Sequence, residues 1–95
     1  MPYAIMQMRR FARQYKKLND NIAKVVDKAV GKIADNPLLG ERKKGDLSSL
    51  LVYKFKVDSQ LYLLGYSIDD GLRLIYLESF GSHENFYRDI KRTKR

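Results

Sequence analysis

The sequence predicts a single small α+β domain over residues 1–95, with element order β-α-α-β-β-β-α and an antiparallel sheet. Three observations carry that expectation. At 95 residues with 44% hydrophobic side chains, the chain has enough apolar material for one core and too little length for two. Between residues 10 and 35 the apolar positions recur every three or four residues, which is helical spacing. From Leu51 onward the period falls to two, and three apolar runs follow one another with turn residues between them.

The elements follow in order. Tyr3 to Met8 is short, apolar and aromatic, and reads as an opening strand. From about Arg10, Phe11, Tyr15 and Leu18 form the apolar stripe of a first helix, with Arg and Lys between them. Asn19-Asp20-Asn21 interrupts it, and Asp20 is the candidate N-cap of a second helix carrying Ile22, Val26, Ala29 and Ile33. That helix ends at Asp35-Asn36, because Pro37 disfavours helical geometry in the residue before it. The two helices make an N-terminal hairpin.

Pro37 to Asp46 reads as a loop whose glycines, Gly40 and Gly45, bracket Glu41-Arg42-Lys43-Lys44. In the next strand Leu51, Tyr53, Phe55 and Val57 alternate with Val52, Lys54 and Lys56, giving one apolar and one basic face. Asp58-Ser59 turns the chain, and Leu61 to Ile68 is apolar on both faces, as in a central strand. Asp69-Asp70-Gly71 supplies a hairpin turn with a glycine for positive φ, and Leu72 to Phe80 is again apolar on both faces. Gly81-Ser82 then breaks the strand, and Ser82 caps a C-terminal helix running to about Arg92. There is no internal repeat, low-complexity segment or linker.

Composition narrows the function. Nineteen Lys and Arg against eleven Asp and Glu give a net charge of +8, which favours a polyanionic partner such as nucleic acid, the ribosome or an acidic protein. The absence of cysteine excludes disulfides and thiolate metal sites, and the single histidine, His83, excludes a zinc site of several imidazoles. No stretch reaches the ~18–20 apolar residues of a membrane-spanning helix. The first residues place charge after a short apolar run, the wrong order for a secretory signal, so the expected location is the cytoplasm, away from membranes. No phosphate loop, dinucleotide fingerprint, HExxH pair or EF-hand loop is present, and Asp69-Asp70 lies in a turn. No metal and no cofactor are expected.

Candidate chemistry falls in three places. On the final helix His83, Phe86, Tyr87 and Ile90 share one face. That face either docks on the sheet, with His83 a satisfied and partly buried polar group, or leaves His83 in the first turn. There the helix N-terminus favours phosphate, and an imidazole can carry a proton near neutral pH. Lys54 and Lys56 lie two apart on one strand face, either as a solvated face or as two cations holding a phosphodiester and its developing charge. The runs Arg42-Lys43-Lys44 and Lys91-Arg92-Thr93-Lys94-Arg95 are either plain solvated charge or part of a phosphate-binding footprint with Arg9, Arg10, Arg13, Lys16 and Lys17. Tyr62, Tyr66 and Tyr76 belong to the core, whereas an exposed Tyr87 or Phe86 can stack on an unpaired base.

The element order, the basic body and the segments Phe11…Tyr15-Lys-Lys-Leu18, Asn36-Pro37, Tyr53-Lys-Phe-Lys56 and Gly81-Ser-His-Glu-Asn-Phe-Tyr-Arg88 together resemble the RelE/ParE superfamily of toxins, the toxin halves of type II toxin–antitoxin pairs. The resemblance covers essentially the whole chain, and its most distinctive part is Gly81 to Arg88. Its RelE branch implies cleavage of mRNA in the ribosomal decoding site, by 2′-hydroxyl attack on the adjacent phosphate without a metal ion.

Carried over by position, Lys54 and Lys56 look like the lysines of the RelE strand. His83 stands where RelE has a functional arginine and related toxins place a histidine, and Tyr87 looks like the C-terminal aromatic that orients the nucleotide. Arg42, Lys43, Lys44, Arg73, Arg88 and Phe86 would contact RNA. The chain departs from the pattern at Leu63, where RelE has an arginine, and Arg73 is the candidate replacement for that charge. The expected partners are then a cognate antitoxin, acidic where it binds and folding on the toxin, together with the ribosome and mRNA. The alternative is the ParE branch, a non-enzymatic DNA gyrase inhibitor with the same fold. A third is a plain nucleic-acid-binding domain with neither toxicity nor cleavage.

Overall fold

The computed structural model describes residues 3–43 and 49–92, with side chains to Asp89 in the last helix. Its elements are β1 (Ala4–Gln7), α1 (Arg9–Lys16), α2 (Asp20–Asp35), β2 (Glu41–Arg42), β3 (Leu51–Val57), β4 (Gln60–Asp69), β5 (Leu74–Ser82) and α3 (His83–Arg92). They build an α+β domain around one sheet in the order β1-β5-β4-β3-β2. β3, β4 and β5 form the antiparallel meander that the alternating runs predict.

Two features change the expected all-antiparallel sheet. β1 lies parallel to β5, from Ala4 beside Leu74 to Gln7 beside Leu77. A parallel pair requires a long crossover, and the helical hairpin lies within the one that separates these strands. β2 pairs antiparallel with β3, Glu41 beside Val52 and Arg42 beside Leu51. A two-residue strand is too short to register as alternation, so the sequence reads it as loop.

Local chemistry explains the ends. Asn19, and not Asp20, caps α2: its Oδ1 accepts from the Ile22 backbone N–H at 2.9 Å. Asp20 instead opens the first turn, where a carboxylate suits the positive end of the helix dipole. Asp58 (φ 50°) and Ser59 (φ 73°) both sit in the left-handed region, as a two-residue hairpin turn demands. At the β4–β5 turn the left-handed residue is Arg73 (φ 53°), not Gly71. Asp69 Oδ1 steadies that turn by accepting from the Leu72 N–H at 3.0 Å. Gly81-Ser82 does not break β5: Leu63 pairs with Gly81 and Tyr62 with Ser82. The helix starts one residue later, and Ser82 Oγ accepts from the Asn85 N–H at 3.4 Å.

The sheet buries both faces unequally. On one, α1 and α2 lay Phe11, Val26, Ala29 and Ile33 against Leu51, Leu64, Tyr66, Ile75, Leu77 and Phe80. Where β5 runs on past the end of β1, Gln14 of α1 takes over its edge, accepting from the Phe80 N–H at 2.7 Å. On the other face a smaller cluster joins Leu50, Val52, Leu63 and Phe86 of α3. The ring of Phe86, 1% exposed, lies over Gly65, where a Cβ would meet its Cζ at 2.7 Å. The next residue, Tyr66, is fully buried on the hairpin side. Its hydroxyl donates to the Pro37 carbonyl at 2.7 Å and accepts from the Gly40 N–H at 2.8 Å, tying down the turn that leads into β2. Among the described residues no helix is long and apolar enough to cross a membrane.

Gly65→Ala should destabilise the fold by ~1–3 kcal/mol through overpacking. Denaturant melts of Gly65→Ala, Phe86→Leu and the double variant should show the pair to be less costly together than their sum. Tyr66→Phe removes two partly buried hydrogen bonds and should cost ~1–3 kcal/mol. Amide exchange should then rise at Gly40, while the meander stays protected.

Candidate functional site

The register of the meander sets out one face of the sheet in rows. Val52, Gly65 and Ser79 form the first, Lys54, Leu63 and Gly81 the second, and Lys56 and Leu61 open the third. Phe86 fills the first row over Gly65. His83 follows the Ser82–Tyr62 pair as the first residue of α3 and shares a cleft lining with Leu61 of this third row. His83 is exposed and, with Ser59, Gln60, Leu61, Ser82 and Glu84, lines an open cleft of about 480 Å³. Lys56 is the register partner of Leu61, so it adjoins the strand residue that lines the cleft with His83.

Tyr87 stands between this cleft and the second cluster. Its ring meets Phe86 edge-on at 5.1 Å and 90°, and meets His83 at 6.3 Å and 81°. On its other side the Lys43 ammonium lies 5.5 Å from the ring centre. Hydrogen bonding to the Tyr87 hydroxyl holds the Lys43 pKa above the ordinary lysine value; burial opposes the rise and Glu41 adds to it. Glu41 Oε1 lies 3.8 Å from Lys43 Nζ and 4.0 Å from Lys54 Nζ. His83, Tyr87, Lys43, Glu41 and Lys54 thus form one continuous line of contacts, with Lys56 beside it on the same strand face.

Other residues singled out in the sequence fall elsewhere. Phe86 is a core side chain with no face free to stack on a base, so the docking role on α3 is its own and exposed His83 does not share it. Leu63 is fully buried under Phe86, and the replacement charge expected from Arg73 is not at hand. Arg73 sits at the opposite end of β5, nine residues from Ser82, with its guanidinium 4.5 Å from the Tyr3 ring centre. Arg42 pairs with Leu51 and so belongs to the hairpin face of the sheet, away from His83. Arg88 donates to Asn85 Oδ1 at 2.5 Å and projects about 160° around α3 from Phe86, toward solvent. Lys44 and the tail residues Thr93, Lys94 and Arg95 lie outside the described residues, as do the side chains of Ile90, Lys91 and Arg92. Glu41 was not singled out in the sequence, since only the short β2 pairing places its carboxylate beside Lys54.

With this geometry in place, comparison with known proteins identifies the class. The chain belongs to the ParE-like toxins of type II bacterial toxin–antitoxin systems, whose family model matches residues 5–91. Among solved structures it is similar to the RelBE2 toxin–antitoxin complex of Mycobacterium tuberculosis, with a TM-score of 0.75 and 25% identity over 87% of this chain and 100% of that one. A free arginine-substituted variant of Escherichia coli RelE matches with a TM-score of 0.73 and 23% identity, covering 98% of this chain and 99% of that one. A conserved hypothetical protein from Helicobacter pylori gives 0.59 and 23%, over 86% and 96%. No curated protein matches in sequence. The resemblance read from the sequence therefore holds at the level of the superfamily, and the structural likeness lies with RelE.

Tyr87→Phe should lower the Lys43 pKa, since the largest influence raising it is removed. A raised lysine pKa stabilises the fold fully below the ordinary value of 10.5, and that contribution is lost as pH rises through the raised value. NMR titration of the Lys43 Cε resonance in both proteins measures the difference directly, and an equal or higher pKa in Tyr87→Phe would contradict the contact.

Proposed function

We propose that this toxin is a ribosome-dependent mRNA endonuclease that arrests translation. The supporting observation is that Lys54 and Lys56 lie on the strand face against which α3 packs, and that Lys56 pairs with Leu61, which lines the cleft with His83, the chain's one imidazole. In this reading the phosphodiester lies at the cleft beside Leu61, with Lys56 on the neighbouring strand and Lys54 one row away. The 2′-oxygen bonds to phosphorus, the bond to the 5′-oxygen breaks, and a 2′,3′-cyclic phosphate remains. The 2′-hydroxyl gives up a proton and the departing 5′-oxygen gains one. His83 serves one of these transfers, because imidazole alone among these side chains ordinarily titrates near neutral pH. Lys54 and Lys56 stabilise the charge that develops on the phosphoryl oxygens. Tyr87, half-buried beside His83, offers its outer surface to a base. No step in this scheme calls on a metal ion.

The partners follow from the same reading. An Escherichia coli RelE variant is solved in complex with a peptide of its antitoxin RelB. A toxin with a net charge of +8 suits a cognate antitoxin acidic in its binding segment, and its basic surface suits ribosomal RNA. The location is the cytoplasm, where translating ribosomes are.

Induced expression with mapping of mRNA 5′ ends tests the proposal. New ends are expected within translated codons and not in untranslated messages, and they should disappear on co-expression of the antitoxin. His83→Ala should reduce cleavage by ~10²–10⁴-fold, and Lys54→Ala with Lys56→Ala by a comparable factor, without loss of fold. Growth arrest with intact mRNA and blocked supercoiling by purified gyrase would overturn the nuclease in favour of a gyrase inhibitor.

A further inference from the structure

Glu41 has no role in the chemistry above, yet it lies between two lysines on the face that carries Lys54 and Lys56. One oxygen, Oε1, lies within 4.0 Å of two ammonium groups that approach it from different strands, Lys43 just after β2 and Lys54 on β3. An anionic oxygen shared between two lysines is the arrangement that a phosphate oxygen would adopt there. The carboxylate is open to solvent: the Glu41 side chain is 70% exposed and that of Lys54 48%, while Lys43 is 22% exposed. The exposed Glu41–Lys54 pair is weak and readily exchanged for another anion.

We infer that Lys43 and Lys54 form a second phosphate subsite, on the β2 side of β3 from the one at Lys56 and His83, and that Glu41 fills it in the free toxin as an internal stand-in for the RNA phosphate. The inference rests on the nuclease reading for the identity of the ligand, an RNA backbone. Binding proceeds by exchange: the incoming phosphate takes the place of Glu41 Oε1, and the carboxylate swings out to solvent. Glu41 therefore opposes binding of RNA and lowers affinity for stray polyanions. It also keeps Lys43 at the hydroxyl of Tyr87 while the site is empty of ligand.

Fluorescence anisotropy with a short unstructured RNA oligonucleotide, measured across a salt series, tests this on the purified toxin. Glu41→Gln should bind about two- to fivefold more tightly at low salt. Its plot of log affinity against log salt should keep the parent's slope, because the same phosphates are contacted once Glu41 has swung out. Asp20→Asn removes the same charge from the first turn of α2, on the opposite face of the sheet, and should change neither quantity. Glu41→Asp keeps the charge on a shorter arm and should retain the weaker binding of the parent. Unchanged or weaker binding in Glu41→Gln would overturn the inference, and so would an equal gain in Asp20→Asn, which would reduce the effect to net charge. Failure of the nuclease reading is separately visible. If the parent toxin leaves translated mRNA uncut, that reading falls, while the oligonucleotide series still decides whether Glu41 competes with phosphate.

Discussion

The contact between Phe86 and Gly65 governs the geometry of everything on the open face of the sheet. α3 follows β5 with no intervening loop, so its direction is set by whatever its first turns can seat themselves upon. Gly65 leaves a hollow in the middle of β4, and the Phe86 ring occupies it where a side chain at residue 65 would collide. Burying a phenylalanine in this way is worth ~1.5–3 kcal/mol, enough to hold a short terminal helix against the sheet. Once Phe86 is seated, the rest of α3 has little freedom. His83 is three residues back and Tyr87 one residue on, so both fall on the rim of the contact, where their rings meet edge to edge.

The neighbouring residue anchors the other wall of the site. Gly65 and Tyr66 adjoin an irregularity in the β4–β5 register, and they point to opposite faces. Tyr66 reaches through the hairpin core to the Pro37 carbonyl and the Gly40 N–H, so the turn before β2 is fastened to the same point on β4 that seats α3. Gly40 has to be a glycine for the same reason as Gly65, since a Cβ there would stand 2.7 Å from the Tyr66 oxygen. A two-residue strand follows, short but well placed, and it delivers Glu41 and Lys43 to the face carrying Tyr87. Two adjacent residues on one central strand thus set both borders of the basic strip.

Much of this architecture is legible in the amino-acid sequence because it depends on periodicity. The helical hairpin, the three-strand meander and the final helix each repeat a pattern over enough residues to be read. The parts that are not legible depend on single contacts. Arg42 and Lys43 are adjacent in one basic run, and only the pairing of Arg42 with Leu51 reveals that they lie on different sides of the sheet. Phe86 and Tyr87 are both aromatic members of one helical stripe, and nothing local says that a glycine 21 residues earlier will take the first and leave the second at the rim. The hairpin turn at Asp69-Asp70-Gly71 misleads in the same way, because the left-handed conformation falls on Arg73, beside Tyr3. Lys54 and Lys56 share a strand face by arithmetic alone, but that His83 opens the helix packed on that same face is visible only in the fold.

Leu63 bears most directly on how such a face can work. It lies between Lys54 and Gly81 in its row, and Phe86 and its cluster exclude it from water completely. A guanidinium at that position would have to be buried without a partner or displace the aromatic cover, and either is costly. The face therefore carries an apolar floor at Leu63 with lysines along its edge, Lys43 and Lys54 on one side and Lys56 farther along β3. Lysine ammonium groups are compact point charges with no fixed fork, and they can shift toward a phosphate wherever it settles, whereas an arginine imposes a planar, bidentate geometry. Lysines on the rim of a leucine floor thus leave the face less rigidly defined than a bidentate arginine would. The aromatic edge of Tyr87 against His83 supplies what rigidity remains, and that edge exists because Phe86 found a glycine beneath it.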